Sequence, residues 1–146
     1  MTTKSTDRAV QPYLNFDGRC EEALEFYGKA IGAEVIMKML FKESPVPPQP
    51  GMCNPGSGDK IMHASFRVGG SVILASDGRC QGKSEFSGIM LSLTASTEKD
   101  AESLFAALAD GGKVQMPMEK TFFSPRFGMV EDRFGVGWMV LVRPEG

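Results

Sequence analysis

Two stretches of this chain, about 78 residues apart, carry the same helix, and that repetition limits the folds open to it. EEALEFYGKAIGAEV at 21–35 aligns with KDAESLFAALADGGKV at 99–114 after one inserted residue, setting Ala23 against Ala101, Phe26 against Leu104, Tyr27 against Phe105 and Val35 against Val114. In each, apolar residues recur at helical spacing and a glycine, Gly32 or Gly111, supplies the stop. The surroundings repeat as well. VQPYLNF at 10–16 alternates like a half-buried strand, 34–43 is strand-like, and 60–68 with 71–76 read as a hairpin around Gly69-Gly70. The order then recurs: a strand at 88–95, a helix with Ser96 or Thr97 as N-cap, the strand KVQMPMEKT, and a closing hairpin of FGMVED and GWMVLV. A period of this length exceeds the roughly 20–50 residues of solenoid units. It marks a duplicated βαβββ module.

The expected fold class is therefore α+β, two repeated βαβββ modules forming a curved mixed-sheet cleft, related by a pseudo-twofold axis, with helices near 20–31 and 97–110. Residues 1–9 read as a polar, frayed tail. Residues 10–146 read as a single domain whose modules span 10–80 and 88–143.

Alternation assigns side chains to faces. Leu14 and Phe16 go to the core and leave Gln11, Tyr13 and Asn15 facing the cleft. Met62, Ala64, Phe66 and Val68 go to the core and leave His63, Ser65 and Arg67. Ile89, Leu91 and Leu93 go to the core and leave Met90, Ser92 and Thr94. On the last strand Trp138, Val140 and Val142 oppose Met139 and Leu141. Such a cleft, half polar and half soft, suits a small molecule.

Several function classes are excluded by charge and pattern. A net charge of −2 gives no electrostatic case for nucleic acid or an anionic membrane surface. No apolar run approaches the ~20 residues of a membrane span, and MTTKSTDRAVQ lacks the apolar core of a signal peptide. The expectation is a cytoplasmic protein. The cysteines, Cys20, Cys53 and Cys80, form no C-x-x-C pair, and the two DGRC motifs at 17–20 and 77–80 read as Asp-Gly turns followed by reduced cysteines.

PYLNFDGRCEEALEFYGKAIGAEV, DKIMHASFRVGGSVILASD and GGKVQMPMEKTFFSPRFGMVEDRFGVGWMV together resemble the PhnB-like branch of the vicinal oxygen chelate superfamily, which includes glyoxalase I, bleomycin-resistance proteins and extradiol dioxygenases. The resemblance runs from about residue 10 to 143. It implies, for the metalloenzymes of the superfamily, an ion held by His, Gln or Glu on the first and last strand of each module. The matching positions here are Gln11 or Tyr13, Leu74 or Ser76, Met90 or Ser92, and Met139. A divalent ion of hard or borderline character wants imidazole nitrogen or carboxylate oxygen. A thioether ligates a soft ion, but alternation alone supplies Met139 with no soft partners. Some members of the branch are labelled ubiquinone-pathway methyltransferases. No Gly-rich strand-to-helix turn that could cradle an adenosyl cofactor occurs in the sequence.

Two functions follow as expectations. One is a small-molecule binding protein without a catalytic metal or other cofactor. Its cleft draws on Gln11, Tyr13, Asn15, His63, Ser65, Arg67, Ser92 and Met139, with a Pro/Gly-rich loop at 44–59 as lid. The other is a divalent-metal-dependent lyase, isomerase or transferase. The ligand is unidentified in either case. His63, the only histidine, is open to three readings: a bond to Ser65 or a neighbouring strand, a ligand contact with acid–base capacity, or a metal ligand. Glu43, Glu119 and Glu131 are candidate bases or solvated charges. Arg126 and Arg133 are candidate anion holders or exposed charges. Phe122 and Phe123 suggest an aromatic wall, and Trp138 suits the core by register. A homodimer is expected because open sheet edges invite pairing, with the 44–59 loop as an arm.

Overall fold

The repeated order is present in the computed structural model, which describes residues 8–45, 58–78 and 85–143. The elements are β1 Tyr13–Asn15, α1 Cys20–Ile31, β2 Glu34–Leu40, β3 Ile61–Val68, β4 Ser71–Ser76, β5 Met90–Ala95, α2 Glu98–Ala109, β6 Lys113–Glu119, β7 Phe127–Glu131 and β8 Gly137–Val142. A 3₁₀ turn, Phe41–Glu43, follows β2. The strands form two sheets of identical topology, β1-β4-β3-β2 and β5-β8-β7-β6. In each, the first strand pairs parallel with the last and the other pairings are antiparallel. The duplication extends to an irregularity: the register slips between Val35 and Met37 in β2, and between Val114 and Met116 in β6. These are the positions that the helix alignment had set in step. A bulge leaves one residue without a ladder partner, so its recurrence is strong support for one module used twice.

The chain divides into two units, Met1–Glu25 with Ala33–Gly82, and Phe26–Gly32 with Lys83–Gly146. Helix α1 thus gives its first half to one unit and its second half to the other.

In the first unit, alternation places Leu14, Ala64, Phe66, Ile73 and Ala75 in the core, joined by Phe16 and by Cys20, Ala23 and Leu24 of α1. The first turn of α1 is closed by a distant carboxylate. Asp77 accepts from Gly18 N and Cys20 N through Oδ1 (2.9 and 2.7 Å) and from Ile61 N through Oδ2 (2.7 Å). Helix starts leave N–H groups without intrahelical acceptors, and an anion there also meets the positive end of the helix dipole. The second DGRC motif therefore caps the helix that begins in the first. Both motifs do turn, as their Asp-Gly pairs require, with Asp17 at φ 50, Gly18 at φ 108 and Gly78 at φ 56.

In the second unit α2 lies on the sheet and buries Ala101, Phe105 and Leu108. Thr97 caps it, its hydroxyl oxygen accepting from Asp100 N at 3.0 Å, a contact worth about 1 kcal/mol. Beneath α2, Gly128 has no room for a side chain. A Cβ there would lie 2.7 Å from Met118 Sδ and 2.8 Å from Phe105 Cε2. The polar centre of this unit is Asp132, 3% exposed. Its Oδ1 accepts from Phe134 N and Val136 N (2.9 and 3.1 Å), and its Oδ2 from Tyr27 Oη and Trp138 Nε1 (2.6 and 2.9 Å). The Tyr27 ring also meets Phe134 and Trp138 edge-on.

Several boundaries differ from the sequence expectation. β1 is three residues long, and Gln11 lies ahead of it, exposed. Pro12 has no N–H to give a ladder, and only its carbonyl accepts, from Leu74 N. β2 ends at Leu40, where Glu43 turns back to accept from Leu40 N at 2.9 Å. β5 begins at Met90 rather than 88. Gly88 has φ 77, which breaks extended backbone, and Ile89 is 63% exposed instead of in the core. Most of the 44–59 loop, together with Cys53 and Cys80, lies outside the described residues.

Candidate functional site

Residues paired across a sheet share a face, so register identifies what lines the face opposite the core. In the first unit one row crosses the whole sheet: Tyr13 opposite Leu74, Leu74 opposite Ser65, Ser65 opposite Met37. His63 sits on this face with Met39 as cross-strand neighbour. Its Nδ1 is 3.4 Å from Tyr13 Oη, with the donor set by the imidazole tautomer, and the two rings are 5.8 Å apart at 39°. His63 thus bonds to Tyr13 on β1, two strands away, and not to Ser65. Tyr13 is 53% exposed while His63, Ser65 and Leu74 are half-buried. Arg67 is exposed, in register with Val72 and Glu34.

Two polar residues near this row are already engaged. Asn15 accepts from Asp17 N through Oδ1 at 3.0 Å. Ser76 Oγ donates to Met62 O and accepts from Gly78 N. Gly78 packs so close that a Cβ there would stand 2.3 Å from the Asn15 amide nitrogen.

In the second unit the matching row is Ser92 opposite Met139, Met139 opposite Met129, Met129 opposite Met116. Met90 lies beside it, opposite Gly137, its Cγ 3.2 Å from where a Gly137 Cβ would be. Met90, Met129 and Met139 are half-buried and Met116 is more exposed. Here the sequence expectation is corrected: Met139 does have soft neighbours. Alternation describes one strand at a time and could not show that β7 and β6 bring Met129 and Met116 alongside. Thr94 and Leu141 continue the face.

The other candidates have structural partners. Arg126 pairs with Glu102. Arg133 donates to Asp110 O, pairs with Asp110 Oδ2 at 3.2 Å, and lies 4.3 Å over the Phe26 ring. Glu131 is in register with Lys113 and Gly137, and Glu119 is exposed at the end of β6. Trp138 is core, as its register required. Cys20 is buried, and burial, with the nearby charges of Asp77 and Glu21 adding to it, pushes its thiol well above the ordinary range. Such a thiol is no nucleophile.

The two rows contain no imidazole or carboxylate; their polar atoms are the Tyr13, Ser65 and Ser92 hydroxyls, and His63, beside the first row and bonded to Tyr13, is a lone imidazole. Thioethers hold soft ions, and these hydroxyls are poor ligands for Zn²⁺ or Mn²⁺, so the donor set does not fit a catalytic divalent ion. Among the described residues no group of three or more His, Cys, Asp or Glu converges either. No helix among them is long and apolar enough to cross a membrane.

Residues 8–141 match the family described as 3-demethylubiquinone-9 3-methyltransferase. Protein YjdN of Escherichia coli (strain K12) is 38% identical over 138 residues, covering 91% of this chain and 94% of that protein. The crystal structure of protein PA1353 from Pseudomonas aeruginosa aligns with a TM-score of 0.78 at 38% identity, covering 94% of this chain and all of that one. A structure titled as a putative 3-demethylubiquinone-9 3-methyltransferase, PhnB protein, from Bacillus cereus aligns at 0.73 and 25% identity, covering 92% and 99%. At 17% identity and a TM-score of 0.55, a glyoxalase/bleomycin resistance protein from Albidiferax ferrireducens T118 shares the fold, over 92% of this chain and 95% of its own.

Proposed function

The chain belongs to the family described as 3-demethylubiquinone-9 3-methyltransferase, in the PhnB-like branch of the vicinal oxygen chelate superfamily, and we propose that it is a small-molecule binding protein of the glyoxalase/bleomycin-resistance type without a catalytic metal. One observation carries this reading. On the first and last strand of each module, where the resemblance implies metal ligands, register sets Tyr13 against Leu74 and Ser92 against Met139. A phenol, an isobutyl group, a hydroxyl and a thioether make a contact surface, not a coordination shell. Tyr13, His63 and Ser65 supply hydrogen bonds on the first unit's face. Met139, Met129 and Met116 supply polarizable contact on the second unit's face, where a flexible thioether adapts to irregular ligands. Methyl transfer, which the family's description names, is not part of the proposal.

A homodimer belongs to the same reading. β2 and β6 are edge strands, and they leave Val35, Ile36, Val114 and Met116 between 43% and 50% exposed. Bare edges with apolar side chains on both faces favour pairing with a second copy.

Titration calorimetry with Zn²⁺, Ni²⁺ and Mn²⁺, on the wild type and on Met139→Glu, tests the metal-free reading. Neither protein is expected to bind any of the three ions tightly, because one added carboxylate does not complete a shell. Sub-micromolar binding of one ion per chain by the wild type refutes it.

A further inference from the structure

A cavity of about 570 Å³ opens in the second unit, away from every residue of the two rows. It is lined by Thr97 and Glu98 at the start of α2, Lys120, Phe122 and Phe123 in the turn after β6, and Arg143 just past β8. Its size falls in the ~300–1,000 Å³ range of small-ligand pockets.

The display of Phe122 is built by its turn. Thr121 Oγ1 accepts from Phe123 N and Ser124 N (3.3 and 3.0 Å), and Thr121 N donates to Ser124 O at 2.9 Å. The Ser124 hydroxyl is fastened in turn, 2.7 Å from the carbonyls of Arg126 and Val142. Phe122 is nevertheless 100% exposed. It stacks edge-on with Phe123 at 5.1 Å, and Phe123 does the same with buried Phe127 at 5.0 Å. A phenyl ring held fully in water by a hydrogen-bonded turn forgoes the gain of burial. A ligand that covers it recovers part of that.

Charge indicates what the ligand carries. Arg19, Lys38, Lys42, Arg126 and Arg133 are each paired with a carboxylate. Among the described residues Lys120 and Arg143 form no ion pair, which is true also of Lys29, Lys60, Arg67, Lys99 and Lys113; what sets Lys120 and Arg143 apart is their place. Both reach the cavity, where Glu98 is the single carboxylate. The positive end of the α2 dipole adds to the same sign.

We propose that this cavity binds a small aromatic anion, its ring against Phe122 and Phe123 and its acid group held by Lys120 and Arg143. The site uses none of the residues assigned to the small-molecule faces above, so either reading can fail alone.

Fluorescence titration with anilinonaphthalene sulfonate, an aromatic anion, tests it on the full chain. Saturable binding is expected. The exposed double variant Lys120→Glu/Arg143→Glu should weaken it about tenfold, and Phe122→Ser should weaken it as well. Lys29→Glu, a charge reversal at an exposed position of α1 outside the cavity and both rows, should leave it unchanged. Circular dichroism of each variant checks that the fold is retained. Absence of saturable binding to the wild type overturns the proposal, as does equal affinity in the charge-reversed variant. An equal loss in Lys29→Glu would make the effect one of net charge and overturn it as well.

Discussion

Asp132→Asn isolates the buried carboxylate that organises the second unit. The replacement keeps shape and volume but turns one acceptor oxygen into a donor. Four donors surround the group: Phe134 N and Val136 N at Oδ1, Tyr27 Oη and Trp138 Nε1 at Oδ2. Asparagine satisfies the backbone pair best by pointing its oxygen at them, which aims its NH₂ at Tyr27 and Trp138. The Tyr27 hydroxyl can rotate and accept. The indole N–H has nothing to accept with, and Trp138 is only 2% exposed, so water does not replace the lost partner. An orphaned buried donor costs about 1–3 kcal/mol, and losing the charge assistance of the remaining bonds adds about 1 kcal/mol. The expected loss is therefore about 2–4 kcal/mol, a large part of what a domain of this size has in reserve. Urea unfolding followed by far-ultraviolet circular dichroism reads it. Trp138 is the only tryptophan, so its fluorescence reports the same environment directly. The decisive version is a cycle with Trp138→Phe. In that background no indole is left to orphan, and the cost of Asp132→Asn should shrink by about 1–3 kcal/mol. A coupling near zero, or an Asn variant as stable as wild type, refutes the reasoning.

Cys20 predicts an alkaline trend. Its folded thiol is raised above the ordinary value of 9.0, so above that pH the unfolded chain releases a proton the folded chain keeps, and stability falls as pH rises; Cys20→Ala should remove that part of the slope in urea titrations between neutral and alkaline pH. Gly112→Ala has nowhere to put its methyl, which would stand 2.1 Å from Glu131 O, a backbone atom; a loss of about 3 kcal/mol or more is expected by thermal or chemical unfolding. Met139→Glu places a carboxylate among Met129, Ser92 and Gly137 and should cost a few kcal/mol at neutral pH, about 1–3, easing in acid as the group protonates. Light scattering at micromolar concentration should give a dimer mass, and a monomer mass ends the edge-pairing proposal.

What was legible in the sequence was whatever a single strand or helix determines by itself. Ala23, Tyr27, Ala101 and Phe105 are buried because helical spacing puts them on one side. Gly32 and Gly111 end the helices with φ 70 and 78, which their lack of a Cβ permits. What was not legible depends on pairing. Ile89 had the right period for a core position, but Gly88 ends the strand before reaching it. The carboxylates of Asp77 and Asp132 sit in sequences that spell turns, D-G and D-R-F-G, and their main partners lie outside the turn: Cys20, Ile61, Tyr27 and Trp138. That Tyr27 belongs with Asp132, 105 positions away, has no local signal. The methionine row is of the same kind, since no one strand contains it.

The two modules are under different constraints on their two faces. Corresponding core positions stay alike in character because each must fit against packed neighbours: Phe66 and Val130 follow the same bulge, and Ala75 and Val140 are both fully buried. On the opposite face packing asks for much less, and there the copies have parted. Tyr13, Leu74, Ser65 and Met37 stand in one, Ser92, Met139, Met129 and Met116 in the other. The backbone has kept its register while the chemistry diverged toward hydrogen bonding in the first unit and dispersion in the second. A centre for a divalent ion asks for imidazole or carboxylate donors at fixed distances, and neither row holds one. Three thioethers side by side ask only for contact, which tolerates ligands of differing outline.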